Sequence, residues 1–177
     1  MIRLFAAIAV PDELAEPLAR RREEIEGALW RPSDSLHITL RFFGELREDV
    51  ADDVDLVLST ITSPPFALTL EGVGTFSEGA ELQSLWAGVS DSERLRALAR
   101  RCETAARRTG LKPDARLFKP HVTLAYLRRP PAPRVAAWIQ SHNLLKSPPF
   151  AVDRFGLYSS RPTHEGSRYR LERAYRL

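Results

Sequence analysis

Two short segments of this sequence each place a histidine and a threonine two residues apart. They read LHITLRFF and PHVTLAYL, and they hold two of the four histidines in the chain. In an extended strand the side chains of residues i and i+2 lie on one face, about 6.6 Å apart. His37 therefore shares a face with Thr39, and His121 shares a face with Thr123. The residues between and after them are apolar, so we predict that each His–Thr pair faces away from the core.

Two such pairs around one ligand could catalyse displacement at a phosphodiester. A neutral imidazole would take a proton from the attacking water, and a protonated imidazole would give one to the leaving oxygen, because histidine has an ordinary pKa of about 6.5. The threonine hydroxyls would bind the non-bridging oxygens, where negative charge accumulates. A single His–Thr pair on a strand is usually no more than part of a polar face, and duplication could have copied a structural motif with one or neither copy active.

The sequence contains an internal repeat that includes both motifs. His37 and His121 are 84 residues apart (121 − 37), and the segments SPPFALTL and SPPFAVDR begin at Ser63 and Ser147, which have the same separation (147 − 63). One shared tetrapeptide could arise by chance, but two shared segments at a constant offset indicate a repeat. The repeat therefore favours a functional interpretation of the two motifs at residues 37–40 and 121–124.

Apolar periodicity around the motifs predicts an α+β fold. Each motif is preceded by a strand and a helix, and each is followed by a helix and further strands. We expect one bilobal duplicated domain over residues 1–177, with two antiparallel sheets and flanking helices around a central cleft and with pseudo-two-fold symmetry. The predicted strands are 3–10, 37–43, 84–89, 121–127 and 168–177, and the predicted helices are 12–29, 48–61, 92–109 and 133–145.

Other catalytic chemistries lack their sequence signals. The chain has no H-E-x-x-H, C-x-x-C, P-loop or G-x-S-x-G motif, and catalysis by a histidine pair requires neither a metal nor another cofactor. Cys102 falls within the apolar stripe of a helix, so we interpret it as a core residue. His142 lies near a helix end, where a structural role is expected, and His164 is expected at a loop tip.

Composition predicts an ordinary globular protein, for which a cytoplasmic setting fits, although a secreted protein without disulfides would have the same composition. Hydrophobic residues make up 44% and charged residues 28% of the chain, and its single cysteine excludes an intrachain disulfide. The apolar run near the N-terminus is too short to cross a bilayer, so no membrane association is expected. The net charge of +3 is only a weak indication of a nucleic-acid partner. A self-contained two-lobe core favours a monomer.

The motifs and their surroundings resemble the 2H phosphoesterase superfamily. More narrowly, the segments RLFAAIAVPDEL, LHITLRFFGEL and FKPHVTLAYL, which begin at residues 3, 36 and 118, resemble the RNA 2′,3′-cyclic phosphodiesterases, also called 2′-5′ RNA ligases. The resemblance covers essentially the whole chain. It implies a bilobal fold with a positively charged cleft that binds RNA with a terminal 2′,3′-cyclic phosphate, tRNA halves among such substrates. It also implies hydrolysis of that end to a 2′-phosphomonoester without a metal, and some members join or cleave 2′-5′ linkages.

The resemblance also assigns roles to individual residues. By motif position it makes His37 the proton donor and His121 the proton acceptor, and it assigns Thr39 and Thr123 to phosphate binding. Many relatives have an arginine five residues after the second histidine, where this chain has Tyr126.

Three further residues are candidates for substrate binding. Arg41 falls on the face of His37 by strict alternation and is the preferred cleft cation. Arg128 falls on the face opposite His121 unless the strand bulges or ends. Phe43, which alternation also places on the face of His37, could stack a base or could be packed in the core.

Two other functions remain open from the sequence. The first is a phosphodiesterase for a small cyclic or 2′-5′-linked nucleotide, which a closed pocket would favour over a long basic groove. The second is a non-catalytic module that binds RNA ends, for which substitution of His37 or His121 would affect binding only.

Overall fold

Four α-helices and ten strands alternate in the computed structural model, which describes residues 1–164 and 166–177. The strands are β1 (Ile2–Ala9), β2 (Ala28–Trp30), β3 (His37–Leu46), β4 (Phe66–Leu68), β5 (Leu70–Glu78), β6 (Glu81–Val89), β7 (His121–Leu127), β8 (Phe150–Val152), β9 (Arg154–Thr163) and β10 (Gly166–Arg176). The helices are α1 (Asp12–Ala19), α2 (Glu48–Leu58), α3 (Glu93–Arg108) and α4 (Ala132–His142), and a 3₁₀ turn spans Ser33–Ser35.

The strands form two antiparallel sheets, so the predicted α+β fold is confirmed. The larger sheet has the order β10-β9-β1-β3-β7-β6-β5, with β2 paired to β7, and the smaller sheet pairs β4 with β8. In the larger sheet, the strands of the two lobes join where β3 meets β7. Ile38 pairs with Val122 where these two strands meet. The two motifs therefore lie at the seam between the lobes.

Strand pairings mark a two-fold relation between the halves of the chain. In the smaller sheet Ala67 pairs with Ala151. On either side of this pair, Phe66 pairs with Val152 and Leu68 pairs with Phe150, so each residue pairs with the repeat equivalent of the other. Ala67 and Ala151 are separated by the repeat offset (151 − 67), as are Ile38 and Val122 at the seam (122 − 38). Residues that pair with their own repeat equivalents lie on or near an axis that relates the two copies.

Helices cover the apolar face of the sheet. Buried residues of both lobes join in one hydrophobic cluster, which includes Leu4, Ile38, Leu98, Val122 and Trp138. Cys102 is also fully buried there, and burial raises the pKa of its thiol to about 12. These surroundings agree with the interpretation of Cys102 as a core residue. Among residues 1–164 and 166–177, no helix is both long and apolar enough to cross a membrane.

The first helix is shorter than expected. The predicted helix over residues 12–29 ends at Ala19, and residues 28–30 form strand β2 instead. Gly27, with φ at +76°, turns the chain, and β2 then pairs with residues 125–127 of β7. Pairing with the neighbouring strand therefore overrides the helical pattern at the end of this segment. This strand leads into the loop that precedes the first motif.

Candidate active site

The seam between the lobes places the two motifs side by side. Ile38 and Val122 pair on the core face, so the residues flanking them lie on the opposite face of the sheet. Extension of this antiparallel register sets His37 across from Thr123 and Thr39 across from His121. This register predicts that each histidine lies beside the threonine of the other motif, and His121 is near enough to lower the pKa of His37.

His37 is held in one tautomer by the chain just before it. Its Nδ1 lies 2.7 Å from the carbonyl oxygen of Ser35. A carbonyl oxygen can only accept, so Nδ1 carries the hydrogen and Nε2 is left to exchange a proton with a ligand. The rings of Phe5 and Tyr169 pack against the imidazole, with centroids 4.9 and 5.0 Å away. The pKa of His37 is lowered to about 4, chiefly by burial and to a smaller extent by the charges of Arg31 and His121, while the hydrogen bond to Ser35 opposes this effect.

His121 is held in the same way. Its Nδ1 lies 2.6 Å from the carbonyl oxygen of Lys119, which occupies the position in its repeat that Ser35 occupies in the first (119 − 35 = 84). The edge-on ring of Phe76 packs against it at 4.7 Å. Burial lowers the pKa of His121, and the hydrogen bond to Lys119 opposes that effect. Both copies of the motif therefore present Nε2 as the group available for proton transfer.

The lowered pKa values mean that both imidazoles are neutral in the protein alone at neutral pH. An anion bound between them would favour the protonated forms and raise both pKa values, because opposite charges stabilise each other at short range. A proton donor at either position therefore depends on the negative charge of a bound phosphate. This dependence is strongest for His37, because its pKa of about 4 lies well below its ordinary value.

Thr39 and Thr123 lie on the histidine face, as predicted from alternation. Thr39 pairs with Ala7 of β1, and Thr123 pairs with Trp86 of β6. Both threonines are half-buried. Their hydroxyls make no hydrogen bond to any residue within 1–164 or 166–177, so they are free to bind ligand oxygens.

A β-bulge follows each motif at the same repeat position. In β3 the bulge residue is Leu40, because Thr39 and Arg41 pair with adjacent residues of β1. In β7 it is Leu124, because Thr123 and Ala125 pair with adjacent residues of β6. A bulge adds one residue and so reverses the faces that follow it. The fifth residue after each histidine therefore returns to the histidine face.

Phe42 and Tyr126 occupy those fifth positions. Phe42 pairs with Phe5, whose ring also contacts His37. Tyr126 pairs with Ser84 and is 43% exposed. The cleft thus gains an aromatic side chain in each lobe that strict alternation had placed on the opposite face.

The prediction that Arg41 lies on the face of His37 is corrected by the bulge. Arg41 pairs with Ala6, a core residue, and directly opposed residues share a face. Its Nε lies 2.5 Å from Oε2 of Glu103 on α3, and Nη1 lies 3.6 Å from Oδ2 of Asp114. Nη2 donates to the carbonyl oxygen of Lys112 at 2.7 Å. Arg41 is therefore an ion-pair residue beneath the sheet and does not face the cleft.

The expected position of Phe43 on the histidine face is also corrected. A second register shift places Phe42 and Gly44 opposite adjacent residues of β1, which makes Phe43 the extra residue. Its side chain joins the hydrophobic core and is 8% exposed. Of the two possibilities for Phe43, packing is the one that the structure supports.

Arg128 lies beyond the end of β7, and its side chain is exposed. Its backbone N–H donates to the carbonyl oxygen of Gly27 at 2.8 Å, which fixes the turn after the strand. No contact joins its side chain to either histidine in the described part of the chain.

Arg31 is the cleft cation that sequence reasoning missed. It is 6% exposed, its guanidinium lies over the rings of Tyr126 and Tyr169, and Nη2 donates to the carbonyl oxygen of Ser167 at 2.5 Å. Its charge lowers the pKa of His37, which places it within electrostatic reach of the site. The segment had been assigned to a helix end and a loop, so no strand periodicity pointed to this residue. The only available signal was its nearness in sequence to the first motif.

A cavity of about 840 Å³ lies beside His37. Ser35 and Tyr169, which contact the His37 ring, form part of its wall, as does Arg31. Among the described residues, no group of three or more His, Cys, Asp or Glu side chains is placed to hold a metal ion. The chemistry that the two motifs can supply is proton transfer by two imidazoles, with hydroxyl groups and a buried guanidinium nearby.

Comparisons with known proteins agree with this geometry. A family model described as the 2′-5′ RNA ligase superfamily matches residues 10–163. RNA 2′,3′-cyclic phosphodiesterase from Archaeoglobus fulgidus is 29% identical over 177 residues, covering 98% of this chain and 99% of the relative. The protein of that name from Escherichia coli K12 is 33% identical over 126 residues, covering 69% and 70%. The structure of E. coli LigT complexed with 3′-AMP aligns with a TM-score of 0.80 at 28% identity, covering 99% of this chain and 98% of that one.

Proposed function

Because the chain belongs to the 2′-5′ RNA ligase superfamily, we propose that it works as an RNA 2′,3′-cyclic phosphodiesterase. Its substrate is an RNA end that carries a 2′,3′-cyclic phosphate, and its product is a 2′-phosphomonoester. The observation that carries this proposal is the arrangement at the seam. Two histidines, each with Nδ1 fixed on a backbone carbonyl, present Nε2 beside two threonine hydroxyls without other partners among the described residues.

The reaction is an in-line displacement at phosphorus. His121 takes a proton from water as the water oxygen bonds to phosphorus, and the bond from phosphorus to the 3′ oxygen breaks. His37 gives its proton to that departing oxygen. The charge of the substrate phosphate raises the pKa of His37 from its value of about 4 in the protein alone, so that the donor is protonated when substrate is bound. Thr39 and Thr123 donate hydrogen bonds to the non-bridging oxygens.

Several properties follow from this mechanism. No step uses a metal, since both proton transfers belong to imidazoles. A ribose hydroxyl in place of water would give 2′-5′ ligation by the same chemistry, with tRNA halves as possible substrates. We place the protein in the cytoplasm and propose that it acts as a monomer, because both motifs belong to one chain.

The test is to incubate the purified protein, with EDTA present, with a short RNA ending in a 2′,3′-cyclic phosphate. A mass gain of one water, in a product that resists an enzyme specific for 3′-phosphates, is the expected result. Unchanged mass would contradict the proposed activity. A screen of cyclic and 2′-5′-linked nucleotides would then test a small-molecule substrate, and RNA binding without turnover would indicate a binding module.

A further inference from the structure

Arg31 is a buried cation without an acidic partner among the described residues. Its guanidinium is held by the aromatic faces of Tyr126 and Tyr169 and by the carbonyl oxygen of Ser167. No carboxylate within residues 1–164 or 166–177 forms an ion pair with it. Buried charges in proteins are almost always paired, because desolvation of an unpaired charge is costly. A fixed and unpaired guanidinium beside a phosphate-binding site is therefore suited to a second anion.

The guanidinium of Arg31 lines the cavity beside His37. Apart from Arg31, its wall includes Arg20 and Arg22 at the rim, hydroxyl groups of Ser33 and Ser35, and the ring of Tyr169. Two carboxylates also line it.

Neither of the two carboxylates in the wall forms an ion pair with Arg31. Glu16 accepts a hydrogen bond from Ser33 at 3.0 Å and lies 3.9 Å from Arg20. Asp34 is the other carboxylate, and it is exposed. A chamber with arginines, hydroxyls and an aromatic ring has the groups that bind a nucleotide with its phosphate, since arginine matches phosphate and rings stack on bases.

We propose that this cavity holds the nucleotide that precedes the cyclic-phosphate end, and that Arg31 binds the phosphodiester joining that nucleotide to the last one. This inference rests on the proposed function. The reacting phosphate lies at the seam, between the two His–Thr pairs. Arg31 donates to the carbonyl oxygen of Ser167 on β10 and lines the cavity, and neither His–Thr pair is part of that cavity's wall. This contact favours RNA chains as substrates over mononucleotides, because a mononucleotide has no such phosphodiester.

The experiment compares two substrates that share the reacting end. One is adenosine 2′,3′-cyclic phosphate, and the other is a trinucleotide that ends in the same group. The kcat/KM of each is measured for the wild type and for Arg31→Gln, Arg22→Gln and Arg101→Gln. Arg101 is an exposed arginine on α3 without a role in the cleft, so its variant is the matched control for loss of charge.

We expect the kcat/KM of the wild type to be about tenfold or more higher for the trinucleotide than for the mononucleotide. A charge-assisted contact to one phosphate changes affinity on that scale. Arg31→Gln should reduce this ratio about tenfold and Arg22→Gln by a smaller factor, while Arg101→Gln keeps the wild-type ratio. The dependence of log kcat/KM on log salt for the trinucleotide should also become shallower by about 0.7 in Arg31→Gln.

Three outcomes would overturn the inference. The first is a wild-type ratio near one with both substrates hydrolysed, which leaves the proposed function intact. The second is an equal loss on both substrates in a natively folded Arg31→Gln, which would place Arg31 at the reacting phosphate. The third applies if Arg31→Gln does not fold. It is a ratio of the two kcat/KM values in Arg22→Gln that is unchanged from the wild type. Hydrolysis of neither substrate by the wild type would overturn the proposed function and this inference with it.

Discussion

His37 and His121 are held by equivalent hydrogen bonds but have different surroundings. Both donate from Nδ1 to the carbonyl two residues earlier, yet His37 lies between two aromatic rings and near Arg31, while His121 contacts Phe76. The different surroundings support the opposite roles proposed for the two similar motifs, because an imidazole responds to burial and neighbouring charge. The roles of donor and acceptor are properties of the whole site and not of the tetrapeptide.

Replacement of either histidine should abolish most of the activity. We expect His37→Gln and His121→Gln each to lower kcat by about 10²–10⁴-fold, because each removes one proton transfer. Steady-state hydrolysis of the cyclic-phosphate RNA, with circular dichroism to verify folding, checks this. His164→Gln changes an exposed histidine and is the matched control. A folded variant of either motif with full activity would contradict the two-histidine mechanism.

The threonine hydroxyls give a second prediction at this scale. Thr39→Val and Thr123→Val keep the shape of the side chain but remove the donor to a non-bridging oxygen, so kcat should fall by about 10²-fold in each. Thr→Ser at the same positions keeps the hydroxyl and should retain most of the activity. Equal losses in the Val and Ser variants would show that the methyl group, and not the hydroxyl, matters.

The pH dependence should differ between free and substrate-bound enzyme. Burial lowers the pKa of both histidines below the ordinary 6.5, and the protonated donor is lost as pH rises through its pKa. The alkaline limb of kcat/KM should therefore have an apparent pKa below 6.5, a value that belongs to the pair. The alkaline limb of kcat should lie at higher pH, because bound phosphate stabilises the imidazolium. Coincident limbs in full pH profiles would argue against this coupling to the substrate charge.

At the scale of elements, the two bulges decide which side chains enter the cleft. Each adds one residue after the motif, so that Phe42 and Tyr126 come to the histidine face and Arg41 moves beneath the sheet. The bulges occur at equivalent positions of the two repeats, Leu40 and Leu124 (124 − 40 = 84). They are therefore part of the repeated unit.

The position of Arg41 leads to a prediction about stability rather than catalysis. Arg41→Met leaves Glu103 without its partner beneath the sheet, which should lower the free energy of unfolding by on the order of 3 kcal/mol. Turnover by the folded variant should stay close to that of the wild type. Urea unfolding and steady-state kinetics measure the two effects. Arg47→Met, which breaks an exposed pair with Asp49, is the control and should change stability little.

A large loss of kcat in folded Arg41→Met, with stability unchanged, would return Arg41 to the cleft. It would also contradict the placement of the bulge at Leu40.

At the scale of the whole molecule, the two lobes share one core. The seam pair Ile38–Val122 joins the larger sheet, β4 and β8 pair across the same axis, and buried residues from both lobes form a single cluster. We propose on this basis that residues 1–177 form one domain. A cleft at the seam is then positioned by the packing of both halves together.

A single core predicts cooperative unfolding. The tryptophans at 30, 86 and 138 and the four helices should report one urea transition, with the same midpoint by fluorescence and by far-ultraviolet circular dichroism. Val122→Ala at the seam should shift both midpoints together to lower urea. Two separate transitions would instead show that the lobes unfold as independent domains.

The sequence by itself determined the local part of this description. The constant offset between the His–Thr motifs and between the SPPFA segments predicted a duplicated α+β fold, and the period of two placed each histidine on the face of its threonine. These features depend on neighbours in the chain, so they can be read from spacing. The sequence also predicted that both His–Thr pairs face away from the core, because apolar residues alternate with them along each strand.

Only the tertiary structure decided which other residues share the cleft. Arg41 and Phe43 left the histidine face because bulges form against β1, and a bulge depends on the pairing between strands, which alternation within one strand does not contain. Arg31 entered the site because β2 pairs with β7 and the chain from β10 supplies Ser167 and Tyr169, more than a hundred residues away in sequence. Burial and charge at the histidines arise from these distant contacts, and so their pKa values were likewise fixed by the folded molecule.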